Sequence, residues 1–140
     1  MTIFKLKKTF KVLPLLLIAS FLSGTMAFAE VAKLTTAPDV PPAIKRSKAE
    51  TVVINLQAKE YVGNLTEDVK YAFWSFGGTV PGPMARLRVG DSIEFHLSNA
   101  KGNSQPHNID IHAVNGPGGG AAFTTVDPGQ EKVFTFKAKA

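Results

Sequence analysis

From Thr51 onward the sequence consists of short segments with apolar residues at alternating positions, separated by turns rich in glycine and proline. This alternation has the period of a β-strand, which sends successive side chains to opposite faces. Ile93, Phe95 and Leu97, for example, share one face, while the residues between them are polar. No convincing helical periodicity follows the N-terminal apolar run. The pattern predicts an all-β fold, and specifically a Greek-key β-sandwich.

About six strands are visible, and the sequence ends shortly after one of them. Five are clear, at residues 51–57 (extended toward 62), 69–76, 92–98, 106–112 and 132–137. A Greek-key sandwich usually has about seven or eight strands. We therefore expect an incomplete sandwich whose last strands are missing.

The first 29 residues have the features of a secretory signal peptide. A lysine-rich start precedes Val12–Leu22, which is almost wholly apolar but shorter than the about 20 residues of a spanning helix. Ala27 and Ala29 are the small residues that signal peptidase accepts, so cleavage is expected before Glu30. This predicts an exported chain with no membrane association after cleavage; an uncleaved anchor is the alternative.

Charge and cysteine content narrow the function classes. Four of the 16 Lys and Arg residues lie in the first 29 positions and all 11 acids lie after them, so the rest of the chain has a net charge of +1. This balance gives no reason to expect a nucleic-acid partner. The chain has no cysteine, so an exported domain must rely on its core, on metal or on assembly with other chains.

We divide the chain into three parts. Residues 1–29 are the predicted signal peptide, and residues 30–50, rich in proline and without apolar periodicity, are predicted to be an extended or disordered arm. An arm that packs on a neighbouring subunit is the alternative. Residues 51–140 are the predicted β-domain.

Two of the three histidines, His107 and His112, flank Asp110 in a segment of strand-like pattern. Residues five apart on a strand face opposite ways, so the two histidines are expected to serve different sites. Asp110 and His112 share a face, which places a carboxylate beside whatever His112 binds. Imidazole suits copper, zinc, iron or nickel, and the three histidines cannot complete a four-coordinate site. His96 is interpreted as an ordinary polar strand residue.

From about Val69 to Ala138 the chain resembles the first cupredoxin domain of copper-containing nitrite reductases. The resemblance lies in Phe76–Met84 (FGGTVPGPM), Arg88–Asp91, Phe95–Asn99, Pro106–Ala113 (PHNIDIHA) and Gly116–Ala122. The PHNxDxH run followed by glycines is specific to this family, whereas the GGTVPGP piece also occurs in wider multicopper oxidases. Those oxidases more often carry a His-x-His pair at this strand.

The resemblance implies a role for each residue of the segment. His107 would be a ligand of type 1 electron-transfer copper, and His112 a ligand of type 2 catalytic copper. Asp110 would be the acid that hydrogen-bonds nitrite and relays a proton. The implied reaction is one-electron reduction of nitrite to nitric oxide by a homotrimer, with a small periplasmic cupredoxin or cytochrome c as donor.

The chain departs from the family's complete pattern. A type 1 site requires a cysteine thiolate and a second histidine, and usually a weak methionine ligand, none of which this chain supplies. The resemblance therefore implies the N-terminal part of an enzyme, inactive by itself. The alternatives are a multicopper oxidase acting on another substrate, a non-enzymatic cupredoxin electron carrier or copper-binding fragment, and a truncated gene product without function.

Overall fold

The computed structural model describes residues 29–115 and 120–139. This part of the chain is mostly β-strand with two one-turn helices, which confirms the all-β prediction. The strands and helices are β1 (Glu30–Val31), β2 (Thr51–Asn64), β3 (Lys70–Phe76), β4 (Ser92–Asn99), α1 (His112–Asn115), α2 (Ala121–Thr124) and β5 (Glu131–Lys137).

The predicted signal peptide lies outside the described residues, apart from Ala29 at its end. Most of the glycine-rich segment 116–120 is outside them as well. Among the residues that the structure does describe, no helix is long and apolar enough to cross a membrane.

Strand β2 organises the sheet because it changes partner half-way along its length. Its first half pairs in parallel with β4, and its second half pairs antiparallel with β3. The carbonyl oxygen of Ala58 accepts from Ala100 on the β4 side, whereas that of Gln57 accepts from Gly77 after β3. Adjacent carbonyls of a strand point to opposite edges, so β3 and β4 lie on opposite edges of β2. Strand β5 pairs antiparallel with β4 and completes the described sheet.

One face of this sheet carries the core. Strand β4 alternates as predicted, and Ile93 and Leu97 are almost completely buried. Each core side chain removes apolar area from water, which stabilises the fold by about 1.5–3 kcal/mol per large side chain. The core cluster comprises Val52, Ile54, Ile93, Phe95, Leu97 and Val126.

Irregular segments cover this face. Ala85 and Leu87 from the connection before β4, and Ile109 and Ile111 from the histidine segment, pack against the core. An apolar cavity of about 360 Å³ lies between these segments and the sheet. The segment that carries the predicted site is thus held against the sheet by its own apolar side chains.

The N-terminal arm lies on the sheet of its own chain. Strand β1 pairs in parallel with the start of β2. Further along, Arg46 donates hydrogen bonds to both carboxylate oxygens of Asp91, which is 0% exposed. The same carboxylate accepts from the backbone N–H groups of Glu50 and Arg88. Asp91 therefore ties the end of the arm to the turn before β4; the division of the chain at residue 50 stays a prediction.

Candidate metal-binding histidines

His107 is held by backbone and side-chain contacts at the point where a polar loop returns to the core. Its backbone N–H and C=O exchange hydrogen bonds with Val126, at 3.0 and 2.8 Å. Its ring is 11% exposed, and Nε2 lies 2.9 Å from Oε1 of Glu60 on β2. The indole of Trp74 meets the imidazole edge to face, with ring centroids 5.1 Å apart. The ring is therefore fixed from two directions.

Glu60 also holds the loop that leads to His107. Its Oε2 accepts from the backbone N–H and the hydroxyl of Ser104, at 3.0 and 2.7 Å, and its Oε1 accepts from the N–H of Gln105 at 2.9 Å. These hydrogen bonds, led by that of the Ser104 N–H, favour the ionised form and lower the pKa of Glu60 to about 2. Nothing in the sequence pattern around Glu60 indicated this role, since its partners lie more than forty residues away.

Two buried asparagines also stabilise the loop that leads to His107. Asn99 at the end of β4 donates to the carbonyl oxygens of Gln105 and Val126. Asn103 donates to the carbonyl of Ala58 and accepts from the N–H of Glu60. Buried polar groups stabilise a structure when they are fully hydrogen-bonded, and this network keeps the approach to His107 in one conformation.

His112 and Asp110 lie together in a different setting. Nε2 of His112 is 3.3 Å from Oδ2 of Asp110. The His112 side chain is 65% exposed, whereas that of Asp110 is 18% exposed. The two side chains thus present an accessible imidazole with a half-buried carboxylate directly beside it.

The strand predicted for residues 106–112 is wrong in this structure. The segment contains one isolated bridge, between His107 and Val126, and its end forms the one-turn helix α1. A continuous strand needs a backbone partner at every second residue, and here a side chain replaces that partner. The hydroxyl of Thr124 accepts from the N–H of Ile109 at 3.1 Å and donates to its carbonyl at 2.6 Å. The alternation of faces is therefore not the reason that Asp110 and His112 meet.

Replacing Thr124 with Val should loosen this segment, because the isosteric side chain leaves both backbone groups of Ile109 without their partner. Thr124 is buried, and an unmet buried hydrogen bond costs about 1–3 kcal/mol. We expect faster hydrogen exchange of the Ile109 amide and a lower denaturation midpoint. Thr125→Val is the control, since its exposed hydroxyl donates to the carbonyl of Ala121, a bond that does not involve Ile109. Equal effects of the two substitutions would contradict the role assigned to Thr124.

His96 lies away from this segment, on the polar side of β4 as predicted. Its two ring nitrogens lie 2.8 Å from Glu94 and 3.0 Å from Glu131. The hydrogen bonds to Glu94 and then to Glu131 favour the charged ring and raise the pKa of His96. This arrangement links β4 to β5 across the sheet.

Trp74 is a second place where the structure differs from expectation. The sequence predicts that Phe73, Trp74 and Phe76 of β3 are core aromatics, and Phe76 does pack against the core. Trp74, however, is 63% exposed. It shares a face of β3 with Phe76 but lies further from the core, opposite Glu60 of β2, where it contacts His107 instead.

Within residues 29–115 and 120–139, no group of three or more His, Asp or Glu side chains is arranged to hold a metal ion. His107 and His112 have separate polar partners, Glu60 and Asp110. Each histidine can therefore contribute one nitrogen to a site whose other ligands come from elsewhere.

The sequence and fold of the chain match known copper proteins. It is 44% identical over 104 residues to a copper-containing nitrite reductase of Neisseria meningitidis, a match covering 74% of this chain and 27% of that protein. It is 53% identical over 64 residues to the same enzyme of Alcaligenes xylosoxydans, covering 46% of this chain and 19% of that protein. The chain is similar to copper-containing nitrite reductases.

The solved copper nitrite reductase of Nitrosomonas europaea also matches the structure, with a TM-score of 0.55 and 36% identity over 63% of this chain and 31% of that one. This match supports the predicted cupredoxin-like fold. No protein-family model matches the chain. The chain spans about a quarter of the length of the curated nitrite reductases with the longest matches, corresponding to their N-terminal part.

Proposed function

We propose that this chain is the N-terminal part of a copper-containing nitrite reductase, which reduces nitrite to nitric oxide. The observation that carries the proposal is the 44% identity over 104 residues, and in this chain His112 and Asp110 lie 3.3 Å apart. An exposed imidazole beside a carboxylate can supply two groups useful for metal-assisted reduction of an oxyanion: one to hold a metal and one to supply a proton.

The two histidines that this chain supplies are suitable ligands for copper. Imidazole nitrogen is a good copper ligand, and metal-binding histidines commonly have their other ring nitrogen bonded to a carboxylate. His107 has such a carboxylate in Glu60. We assign His107 to type 1 copper and His112 to type 2 copper. The remaining ligands, including a cysteine thiolate for type 1 copper, would come from the rest of the protein.

Copper, when bound, would supply the electron and a Lewis acid for the nitrite oxygens. Asp110 would hydrogen-bond nitrite and donate a proton to the oxygen that leaves as one N–O bond breaks. The balanced reaction consumes one nitrite ion, one electron and two protons, and yields one nitric oxide and one water. The exposure of His112 leaves room for ligands from a neighbouring domain or subunit.

The finer parts of the proposal come from the family resemblance. We propose export to the periplasm by the signal peptide of residues 1–29, assembly as a homotrimer, and electron delivery by a small cupredoxin or cytochrome c. In the homotrimer, the face that carries His112 would lie where subunits meet.

The test is to produce the full-length protein and measure its metal content and activity. We expect both type 1 and type 2 copper signals in electron paramagnetic resonance, and nitric oxide formation from nitrite with a reduced donor. The 140-residue chain alone is the control and should show no turnover. A full-length protein that lacks type 2 copper, or that binds both coppers and leaves nitrite unreduced, would contradict the proposal.

A further inference from the structure

Glu60 and His107 form a hydrogen bond whose direction is set by chemistry. An ionised carboxylate carries no proton, so it can only accept. Nε2 of His107, 2.9 Å from Oε1, must therefore donate. In a neutral imidazole only one nitrogen carries hydrogen, and the other, Nδ1, then carries the free lone pair.

Other hydrogen bonds hold the carboxylate of Glu60 in the orientation that meets His107. Its two oxygens already accept three other hydrogen bonds, two from Ser104 and one from Gln105. Glu60 is itself placed by β2, and its backbone N–H is fixed by the buried side chain of Asn103 at 2.8 Å. The position of the Glu60 carboxylate is therefore fixed independently of its contact with His107.

The same bond also selects one orientation of the ring. A half-turn about the bond between Cβ and the ring would exchange Nε2 with a carbon atom and break the contact with Glu60. Trp74 packs against the ring edge to face and restrains it further. Both the tautomer and the rotamer of His107 are therefore determined by groups on β2 and β3.

We propose that Glu60 is the positioning residue of His107, holding it as the Nε2–H tautomer so that Nδ1 is the nitrogen offered to a metal. The copper part of this inference depends on the proposed function. The tautomer part does not, and the experiment separates them.

The first measurement needs no metal and no activity. Long-range ¹H–¹⁵N correlation spectra of the 140-residue chain above neutral pH distinguish protonated from unprotonated ring nitrogens. We expect His107 to show a protonated Nε2 and an unprotonated Nδ1. A wild-type His107 with its proton on Nδ1 overturns the proposal without any variant being made.

The second measurement uses Glu60→Gln. The Gln amide has a single acceptor oxygen, so it cannot accept hydrogen bonds from both His107 and Ser104, which contact different oxygens of Glu60. We expect the Nδ1–H form to become populated. Ser104→Ala loosens the loop but keeps the carboxylate, so it should leave the tautomer unchanged. Glu131→Gln, which changes a carboxylate facing His96, is the matched control. A tautomer shift in Ser104→Ala as large as in Glu60→Gln would mean that loop order, rather than Glu60, positions the ring.

The third measurement addresses copper in the full-length protein. Loss of a carboxylate behind a metal-binding histidine typically weakens metal affinity by about 10–100-fold. We expect that loss at the type 1 site of Glu60→Gln, measured by competition with a chromophoric chelator, and no loss in Glu131→Gln. Unchanged type 1 affinity in Glu60→Gln overturns the positioning role. A wild-type protein without type 1 copper overturns the proposed function and leaves the tautomer result standing.

Discussion

Replacing Asp110 with Asn in the full-length protein is expected to slow nitrite reduction by about 10²–10⁴-fold, the usual range for loss of a general acid. Asparagine has the same shape and can still form a hydrogen bond, but it has no proton to give as the N–O bond breaks. Because Asp110 contacts His112 rather than His107, the blue colour of type 1 copper should remain. Steady-state turnover and the visible absorption spectrum are measured on the same sample.

Two further variants make this result specific. Asp68→Asn changes an exposed carboxylate in the β2–β3 connection and should leave turnover unchanged. Replacing His107 should have the reverse spectral effect, abolishing the blue colour. Equal loss of colour in the Asp110 and His107 variants would contradict the assignment of the two residues to separate sites.

Replacing Asp91 with Asn is expected to destabilise the fold strongly. Asp91 is fully buried, and its carboxylate binds the Arg46 guanidinium and two backbone N–H groups. Removing the charge leaves Arg46 and the two N–H groups without the carboxylate they share, and an unpaired charge or donor at a buried position is strongly destabilising. The amide of Asn would also direct its own N–H groups at one of these donors. Urea denaturation at neutral pH measures the loss as a lower midpoint.

The pH dependence of this loss has a definite sign. The hydrogen bond from Arg46, the largest cause, lowers the pKa of Asp91 to about 2, below the about 3.9 of an unfolded Asp. A group with a lowered folded pKa stabilises the protein above its unfolded pKa and loses that contribution as pH falls through the folded value. The wild type and Asp91→Asn should therefore differ fully above pH 4 and converge near pH 2. A difference that persists below pH 2, or that is absent at pH 7, would contradict the role of the Asp91 charge.

Strands β2 to β5 were predictable because each has a local signature. Strand β4 was recognised from Ile93, Phe95 and Leu97, whose alternation matches their burial on one face. The turn at Asp127–Gly129 has the Asp-Pro-Gly composition typical of tight turns, and Gly129 has the positive φ of 77° that favours glycine. Signals of this kind are contained within a few residues, so the sequence alone reveals them.

The histidine segment was harder to predict because its structure depends on distant groups. Alternating polarity indicated a strand, but the side chain of Thr124 takes both backbone hydrogen bonds of Ile109. A hydrogen bond between a side chain and a distant backbone group leaves no periodic pattern in the sequence. Glu60 was missed for the same reason, since its contact with His107 spans 47 positions. The proximity of Asp110 and His112 was predicted, although the segment is not a strand: Asp110 lies in an irregular stretch and His112 begins the one-turn helix α1.

The contact between Trp74 and His107 gives the molecule a built-in optical probe. Trp74 is the single tryptophan of the sequence, so the indole fluorescence of the chain arises from one ring. That ring lies 5.1 Å, centroid to centroid, from the imidazole assigned to type 1 copper. Emission intensity and wavelength therefore report events at this histidine without any added label, including the arrival of a metal ion.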